Sequence, residues 1–297
     1  MGADQWLLRL QSTHLAHTYE RVVNLHPTVV VNGATGAIGS ATAAVLARRG
    51  ARVIVMARPT DRLGTLVERL GGEDNRISSV AVDLSSMSSV RSAAREINRA
   101  GGHIDALVNV AAVFVKRYRK TSDGLELMLA TNYFGPFLLT NLLRDRLIGG
   151  GRVITVAAPS TTHVDMERLF SKDQFDALHT FGATKALGLM FTFELARRAK
   201  RWDVRANAFH PGLVRSELMQ EAPRPVRLIS RLVSGSADRS AHDLVELAIS
   251  PAHAGTTGWF FKGSGRIEPP KSTTEESVQS SLWRRTAELL EIEIGGF

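Results

Sequence analysis

Cysteine is absent from this chain of 297 residues, and tyrosine occurs only three times. Without cysteine there can be no disulfide, no thiolate metal ligand and no cysteine nucleophile. No apolar run reaches the roughly 18 residues that a membrane-spanning helix requires. Residues 1–27 lack the basic start and the long apolar core of a signal peptide. We therefore expect a cytoplasmic protein with no membrane span.

Negative charge is in deficit, because 37 lysines and arginines face 29 aspartates and glutamates and give a formal net charge of +8. A basic surface can attract nucleic acid or anionic ligands. The basic residues are nevertheless dispersed, and arginine dominates them, which is typical of a GC-rich bacterial proteome. Only the segment KRYRK at 116–120 is dense in charge, and no nucleic-acid-binding motif surrounds it. We interpret this segment as a solvated loop and expect no nucleic-acid partner.

Short runs of β-branched residues alternate with longer helical patterns from residue 28 onward. Such alternation is typical of right-handed crossovers between parallel strands, with helices on both faces of the sheet. The pattern predicts one α/β domain over residues 28–297, a doubly wound (Rossmann) fold whose mainly parallel sheet has seven strands. Residues 1–27 form an N-terminal extension in this interpretation.

Two further segments carry structural predictions. A long helix is expected from Thr121 to Leu147, where the apolar pattern is helical. The segment 216–240 is rich in arginine, serine and proline, and we expect a helical flap over the ligand cleft there.

The stretch NGATGAIG follows the first predicted strand and opens the first predicted helix. Its glycines, Gly33, Gly36 and Gly39, permit a tight turn and let a pyrophosphate approach backbone N–H groups at the positive end of a helix. The place of this pattern in the first strand–helix turn makes it a strong signal. We predict that the loop, with Thr35 and Ile38, binds a dinucleotide cofactor; a tight turn without a ligand is the alternative.

The second strand ends in VMAR, so Ala57 stands where dinucleotide-binding folds carry an acid for the ribose 2′-hydroxyl. Arg58 follows it, and an arginine can pair with a 2′-phosphate that an acid would repel. This favours NADP(H) over NAD(H), with an ordinary surface role for Arg58 as the alternative. Asp83, at the end of the third strand, can reach the adenine amino group.

Several stretches, in this order, together resemble the short-chain dehydrogenases/reductases, and within them the retinol-dehydrogenase-like branch. They are NGATGAIG, VDLSSMSSVR, DALVNVAA, TNYFGPFLLTNLL, GRVITVAA, FGATKALGLMFTFELARR and RANAFHPGLVRSEL. The resemblance extends over nearly the whole predicted domain. It implies the same fold and a nicotinamide cofactor.

The resemblance also implies roles for single residues. Asn132 matches the asparagine that bends its helix and holds a water of the proton relay, and Lys185 matches the lysine that binds the nicotinamide ribose. The remaining matches imply contacts with the adenine, the cofactor backbone and the carboxamide; these residues are Asp83, Leu84, Asn109, Pro211, Gly212, Val214 and Ser216.

The catalytic hydroxyls of the family are missing at the matching positions. Ala158 stands where the family has a serine that bonds the substrate carbonyl, and Phe181 where it has the tyrosine that transfers the proton. None of the tyrosines, Tyr19, Tyr118 and Tyr133, has a lysine four residues later. Loss of a positioned acid typically lowers a rate by about 10²–10⁴-fold, so we expect ordinary ketoreduction to be very slow.

The same departures make the predicted cleft apolar. Val110 and Ala112 replace residues of the family motif after the fourth strand, and with Ala158 and Phe181 they would form an apolar floor beside the nicotinamide site. Apolar pockets with few polar groups suit aromatic or polyketide-like compounds. We therefore expect a hydrophobic small molecule as the substrate.

Polar groups that could substitute for the lost hydroxyls follow the fifth strand. Ser160 and His163 are our candidate catalytic side chains, because histidine titrates near neutrality; an exposed loop histidine is the alternative for His163. His179 precedes Phe181 by two residues and would point away from it on a helix. We interpret His210 as structural. No pair of histidines or carboxylates has metal-ligand spacing, so no metal is expected.

Three functions remain open. The first is an atypical protein of bacterial secondary metabolism that performs a non-redox reaction (cyclisation, isomerisation, dehydration or addition) with NADP(H) structural or absent. The second is an NADP(H)-dependent reductase with a substitute proton donor. The third is a catalytically inactive cofactor-binding protein. The resemblance further implies a homodimer or homotetramer, paired through the helices at 121–147 and 181–200.

Overall fold

The computed structural model describes residues 26–71, 76–165, 168, 171–212, 214, 236–293 and 297. Its centre is one sheet with the strand order β3-β2-β1-β4-β5-β6-β7-β8. The strands are β1 (Thr28–Asn32), β2 (Arg52–Ala57), β3 (Ile77–Ala81), β4 (Ala106–Asn109), β5 (Arg152–Val156), β6 (Arg205–His210), β7 (Phe260–Lys262) and β8 (Gly265–Arg266). The chain crosses from β3 back to β4 beside β1, which creates the switch point where doubly wound folds bind ligands.

The doubly wound fold and the mainly parallel sheet are confirmed, but the predicted number of seven strands is wrong. Strands β1 to β7 run parallel, and the eighth strand is antiparallel to β7. The chain turns back through Gly263, which has a φ of 61°. A strand of two residues is too short to show alternation in a sequence, so the pattern could not predict it.

Helices cover both faces of this sheet. They are α1 (Ala37–Arg48), α2 (Asp61–Arg69), α3 (Met87–Ala100), α4 (Leu127–Leu129), α5 (Gly135–Leu142), α6 (Arg144–Leu147), α7 (Ala177–Arg198), α8 (Ala237–Ile249) and α9 (Glu276–Leu289). Leu46 of α1 and Leu244 of α8 share one apolar core, whereas Phe137 of α5 belongs to another. Val30 and Val31 contribute to different cores because successive strand residues face opposite sides.

The helix predicted from Thr121 to Leu147 begins later and is not continuous. Before it the chain turns through Gly124, with a φ of 83°, and Lys120 pairs with Glu126 across the turn. Glu126 caps α4 by accepting a hydrogen bond from the N–H of Leu129 at 2.8 Å. A π-helical turn, Ala130–Phe134, then separates α4 from α5.

Helix α9 closes one core over α5 and α7. Trp283 is 2% exposed and lies beside Phe137 and Phe191, with ring centroids 4.7 and 5.8 Å from its own. In the same core the hydroxyls of Tyr133 and Thr286 are 2.9 Å apart. Helix α9 thus covers part of the helices that the resemblance assigns to subunit pairing.

Two of the predicted segments lie wholly or mostly outside the described residues. These are the N-terminal extension, of which 1–25 is outside, and the flap, of which 216–235 is outside. The last flap residues, from Ala237, belong to α8. In the part of the chain that the structure describes, no helix combines the length and the apolar character needed to cross a bilayer.

Replacement of the buried indole that joins α9 to the core should strongly destabilise the protein. We expect Trp283→Ala to lower the free energy of unfolding by about 3–5 kcal/mol, because it empties a packed aromatic site. Urea denaturation followed by circular dichroism measures this change. The matched control is Trp259→Ala, whose indole is 42% exposed and contacts mainly the Arg266 guanidinium; it should cost less than about 1 kcal/mol. If both variants lost the same free energy of unfolding, the packing role of α9 would be contradicted.

Candidate functional site

The glycine loop has the shape that a dinucleotide requires. Gly33 has a φ of 66°, and a Cβ built there would lie 2.6 Å from the backbone N of Ala111. A Cβ on Gly39 would overlap the Gly33 carbonyl, so α1 can lie directly against the loop only because residue 39 is glycine. Gly36 caps α1 without a side-chain hydrogen bond, which leaves the first N–H groups of the helix available to an anion. These residues fit a pyrophosphate.

Two other predicted members of the loop are Thr35 and Ile38. Thr35 and Ile38 are half-buried, and Ile38 packs against the core that α1 and α8 share. Beside this core the N–H of Ala34 donates to the carbonyl of Met56 at 3.1 Å, which ties the loop to β2. The loop is therefore anchored on the sheet rather than free in solvent.

A buried amide, which our sequence reasoning did not include, holds the loop to the neighbouring strand. The Asn32 side-chain oxygen accepts hydrogen bonds from the N–H groups of Val110 and Ala111, each at 3.0 Å. The Asn32 nitrogen donates to the side-chain oxygen of Asn109 at 2.5 Å. Asn109, a predicted cofactor residue, is thus itself part of the support. A polar residue that ends an otherwise apolar strand, immediately before a glycine, is the signal in the sequence.

Residues that follow β2 and β3 carry the groups predicted to contact the 2′-phosphate and the adenine of the cofactor. Arg58 is exposed directly after β2, where it can reach a ligand. The carboxylate of Asp83 accepts from the N–H and the hydroxyl of Ser85 at 2.9 and 2.7 Å, which fixes its orientation. Leu84 is 5% exposed and packs into the core, so only its backbone is available to an adenine.

The segment predicted to contact the carboxamide begins at the end of β6. The carbonyl of Pro211 accepts a hydrogen bond from the hydroxyl of Ser240 on α8, at 3.0 Å. Gly212 follows with a φ of 73°, and Val214 is half-buried. The last predicted residue of this segment, Ser216, lies outside the described residues.

The π-helical turn places Asn132 between two parts of the site. Its side-chain oxygen accepts from the N–H of Val113 at 2.7 Å, and its nitrogen donates to the Val113 carbonyl at 3.0 Å. The same nitrogen donates to the Thr184 hydroxyl at 3.2 Å, and that hydroxyl donates to the Phe181 carbonyl at 2.7 Å. Asn132 and Thr184 therefore join the loop after β4 to the start of α7. Thr184, which the sequence reasoning also missed, has no distinguishing pattern.

Lys185 and Phe181 share one face of α7. The Lys185 ammonium lies 5.4 Å from the centroid of the Phe181 ring, within the range of a cation–π contact. Burial lowers the pKa of Lys185 from its ordinary 10.5 to about 8. The Phe181 ring also contacts the Phe114 ring edge-to-face, with ring centroids 5.5 Å apart. Phe181 thus belongs to an apolar cluster, and no hydroxyl faces the lysine from residue 181.

The loop after β5 folds back onto the start of α7. Ala158 is half-buried, and its carbonyl accepts from the N–H of Ser160 at 2.7 Å. The Ser160 hydroxyl donates to the Thr162 hydroxyl at 3.0 Å. A Cβ built on Gly182 would lie 3.2 Å from the Ser160 oxygen. Ser160 therefore lies against the residue that follows Phe181.

The side chains of His163, Tyr133 and His179 lie on different surfaces. His163 is exposed and lines a cavity of about 320 Å³ with Met190 of α7 and Leu282 of α9. Tyr133 is buried against α9 and bonded to Thr286, so its hydroxyl faces the core. His179 is half-buried, and burial together with Arg168 lowers its pKa.

His210, which we interpret as structural, ends β6. It is half-buried, and burial lowers its pKa, with further contributions from Lys262 and Lys185. Its Nδ1 is buried and has no hydrogen-bond partner within the described ranges. The assignment of His210 stays a prediction, as does the expectation that no metal binds.

A model of the short chain dehydrogenase family matches residues 27–226. The chain belongs to this family. It is similar to Retinol dehydrogenase 13 of Mus musculus, with 32% identity over 278 residues that cover 89% of this chain and 83% of that protein. It is also similar to the "Putative daunorubicin C-13 ketoreductase DnrU" of Streptomyces sp. (strain C5), with 31% identity over 88% of this chain and 91% of the relative.

A solved short chain dehydrogenase from Burkholderia cenocepacia J2315, in complex with NADP, superimposes with a TM-score of 0.66. The two sequences are 24% identical, and the match covers 81% of this chain and 97% of the Burkholderia chain. At this identity the likeness concerns the fold alone. Homologues in the short chain dehydrogenase family bind NAD(P), and the glycine loop described above has the geometry for such a ligand.

The depressed pKa of Lys185 predicts how its removal changes stability with pH. Below about pH 8 the folded protein holds a charge that burial disfavours, and this penalty disappears as the pH rises towards 10.5, where the unfolded lysine also loses its proton. We expect Lys185→Met to raise the urea midpoint at pH 7 and to lose this advantage progressively between pH 8 and pH 10. Lys200→Met, at an exposed position just after α7, controls for the loss of one charge. A gain that does not vary with pH would contradict the assignment.

Proposed function

We propose that this protein binds NADP(H) and acts on a hydrophobic small molecule of bacterial secondary metabolism by a reaction that leaves the cofactor unchanged. Cyclisation, isomerisation, dehydration and addition are the reactions that fit. The observation that carries the proposal is the Phe181 ring, which lies over Lys185 and against Phe114 at the position that matches the family's tyrosine.

The cofactor part of the proposal rests on the glycine loop and on the charge beside it. Gly33, Gly36 and Gly39 would hold the pyrophosphate, Arg58 the 2′-phosphate and Asp83 the adenine. Lys185 would bind the nicotinamide ribose, and Pro211, Gly212 and Val214 the carboxamide. When bound, NADPH supplies a hydride donor at the cleft.

The chemical part follows from what the chain cannot offer a carbonyl undergoing reduction. Hydride addition builds negative charge on oxygen, which requires a donor and a proton. Neither Ala158 nor Phe181 can donate a hydrogen bond or a proton from its side chain. In the family the lysine acts by lowering the pKa of a tyrosine, and this chain has Phe181 at the matching position. Reactions that need an apolar, water-poor pocket and little oxyanion support remain available to these residues.

A reductase with a substitute donor is the second candidate. The relatives support it, because one is named a retinol dehydrogenase and another a putative ketoreductase. Ser160 and His163 are its candidate donors; Ser160 lies beside the start of α7, whereas His163 lines the cavity near α9. Asn132 would keep a positioning role in both candidates, since it joins the loop after β4 to α7.

Product analysis with and without NADPH separates the candidates. The protein is first titrated with NADPH by fluorescence and then incubated with a panel of aromatic and polyketide-like ketones. We expect tight binding, followed by product formation that consumes no NADPH. Consumption of one NADPH for each product would support the reductase instead. Tight binding without turnover would support an inactive cofactor-binding protein, and absence of binding would contradict the proposal that the protein binds NADP(H).

Arg58 should decide the preference for NADPH. We expect Arg58→Asp to weaken NADPH binding at least tenfold and to change NADH binding much less, because the new carboxylate repels a 2′-phosphate and can accept from a 2′-hydroxyl. Dissociation constants from fluorescence titration at constant salt measure both effects. Arg52→Asp, an exposed arginine at the opposite end of β2, is the control for net charge. An equal loss for both nucleotides in Arg58→Asp would refute the assignment.

A homodimer or homotetramer remains part of the proposal. Helices α5 and α7 already contact α9 through Trp283, so their remaining free surface is smaller than in a chain without this helix. We therefore propose that α9 forms part of any subunit interface on that face.

A further inference from the structure

Two hydroxyl groups form a rigid pair in the loop after β5. The Ser160 hydroxyl donates to the Thr162 hydroxyl at 3.0 Å, and the N–H of Thr162 donates back to the Ser160 oxygen at 3.3 Å. The N–H of Ser160 is bonded to the carbonyl of Ala158, which fixes the pair to the end of β5. The two side chains therefore hold each other in one orientation.

Gly182 gives this pair its place against α7. A Cβ at residue 182 would lie 3.2 Å from the Ser160 oxygen and closer still to the Thr162 oxygen. Glycine is a poor helix former, and Gly182 lies within the 22 residues of α7, so the helix does not itself favour glycine there. The space that glycine leaves is filled by the two hydroxyls.

The pair adjoins the apolar surface where the substrate is proposed to bind. Gly182 directly follows Phe181 and precedes Lys185 by three residues, a spacing that makes residues neighbours on a helix surface. Ser160 lies two residues after Ala158, the position of the family's missing serine. The hydroxyls thus provide polar atoms at the edge of an otherwise apolar cleft.

The hydrogen-bond directions leave one proton unused. The Ser160 hydroxyl proton is directed to Thr162, whereas the Thr162 hydroxyl proton has no acceptor among the described residues. Thr162 is half-buried, and a hydroxyl that already accepts a hydrogen bond is a stronger donor in its own bond. The Thr162 hydroxyl therefore has one hydrogen bond left to donate to an oxygen of a bound ligand.

We propose that the Thr162 hydroxyl binds the carbonyl oxygen of the hydrophobic substrate. Ser160 polarises this hydroxyl, and the absence of a side chain at Gly182 leaves the space that it occupies. This inference rests on the proposed function, since it assumes that such a ligand enters the cleft. The bound substrate is an aromatic or polyketide-like ketone with its carbonyl at the polar edge and its apolar part against Phe181. The hydrogen bond withdraws electron density from the carbonyl carbon and favours either enolisation or addition.

The test compares two probes of similar shape. Chalcone carries a carbonyl, and trans-stilbene does not; dissociation constants come from quenching of tryptophan fluorescence in the full chain with NADPH present. We expect Thr162→Val to weaken chalcone binding about five- to tenfold, the usual effect of one lost hydrogen bond, and to leave stilbene binding unchanged. Raman spectroscopy of ¹³C-labelled chalcone should show the carbonyl stretch at a lower frequency on the wild-type protein than on Thr162→Val.

Matched variants separate this role from general damage. Thr161→Val changes the exposed neighbour in the same loop and should alter neither the affinity nor the carbonyl stretch. Gly182→Ala should reproduce the effect of Thr162→Val, because the added Cβ displaces the pair. If both probes bind but Thr162→Val leaves the carbonyl stretch unchanged, this proposal is overturned and the proposed function survives. If neither probe binds the wild-type protein, both are overturned.

Discussion

The buried amide of Asn32 is the interaction on which the cofactor end of the sheet depends. Its oxygen accepts two consecutive N–H groups just beyond β4, and its nitrogen reaches the side chain of Asn109. An unpaired buried amide costs about 1–3 kcal/mol, so sliding β1 against β4 by one residue would be strongly unfavourable. This register brings Ala111 against Gly33 at a distance that no side chain could share. The phosphate loop and the loop after β4 are therefore fixed as one unit.

The polar framework around the cleft does not depend on the side chain of residue 181. Asn132 and Thr184 still join the loop after β4 to α7 through a continuous set of hydrogen bonds. Inside that framework, Phe181 belongs to an apolar cluster with Phe114, and Lys185 is left facing an aromatic ring. The framework uses the backbone carbonyl of Phe181 and not its side chain, so it does not require a hydroxyl at residue 181.

The sequence was most informative where local pattern and fold coincide. Alternating strands and helices predicted the doubly wound sheet, and the spacing of three glycines predicted the shape of the first turn, because each pattern reflects backbone geometry over a few residues. Tertiary contacts were not accessible in this way. The partner of Asn32 lies 78 residues away at Val110, and Gly182 acquires meaning only when Ser160 and Thr162 lie against it. His163 was chosen for its chemistry alone, and its position near α9 depends on how the loop after β5 crosses α7.

Helix α9 also has a consequence for how the chain acquires its structure during synthesis. The Tyr133 hydroxyl bonds to a residue 153 positions later, and Trp283 packs on Phe137 across a similar interval. Domains emerge from the ribosome N-terminal end first, so the apolar surface of α5 and α7 exists for some time before its cover is made. The core that contains Tyr133 and Phe137 can therefore be completed only after α9 has been synthesised.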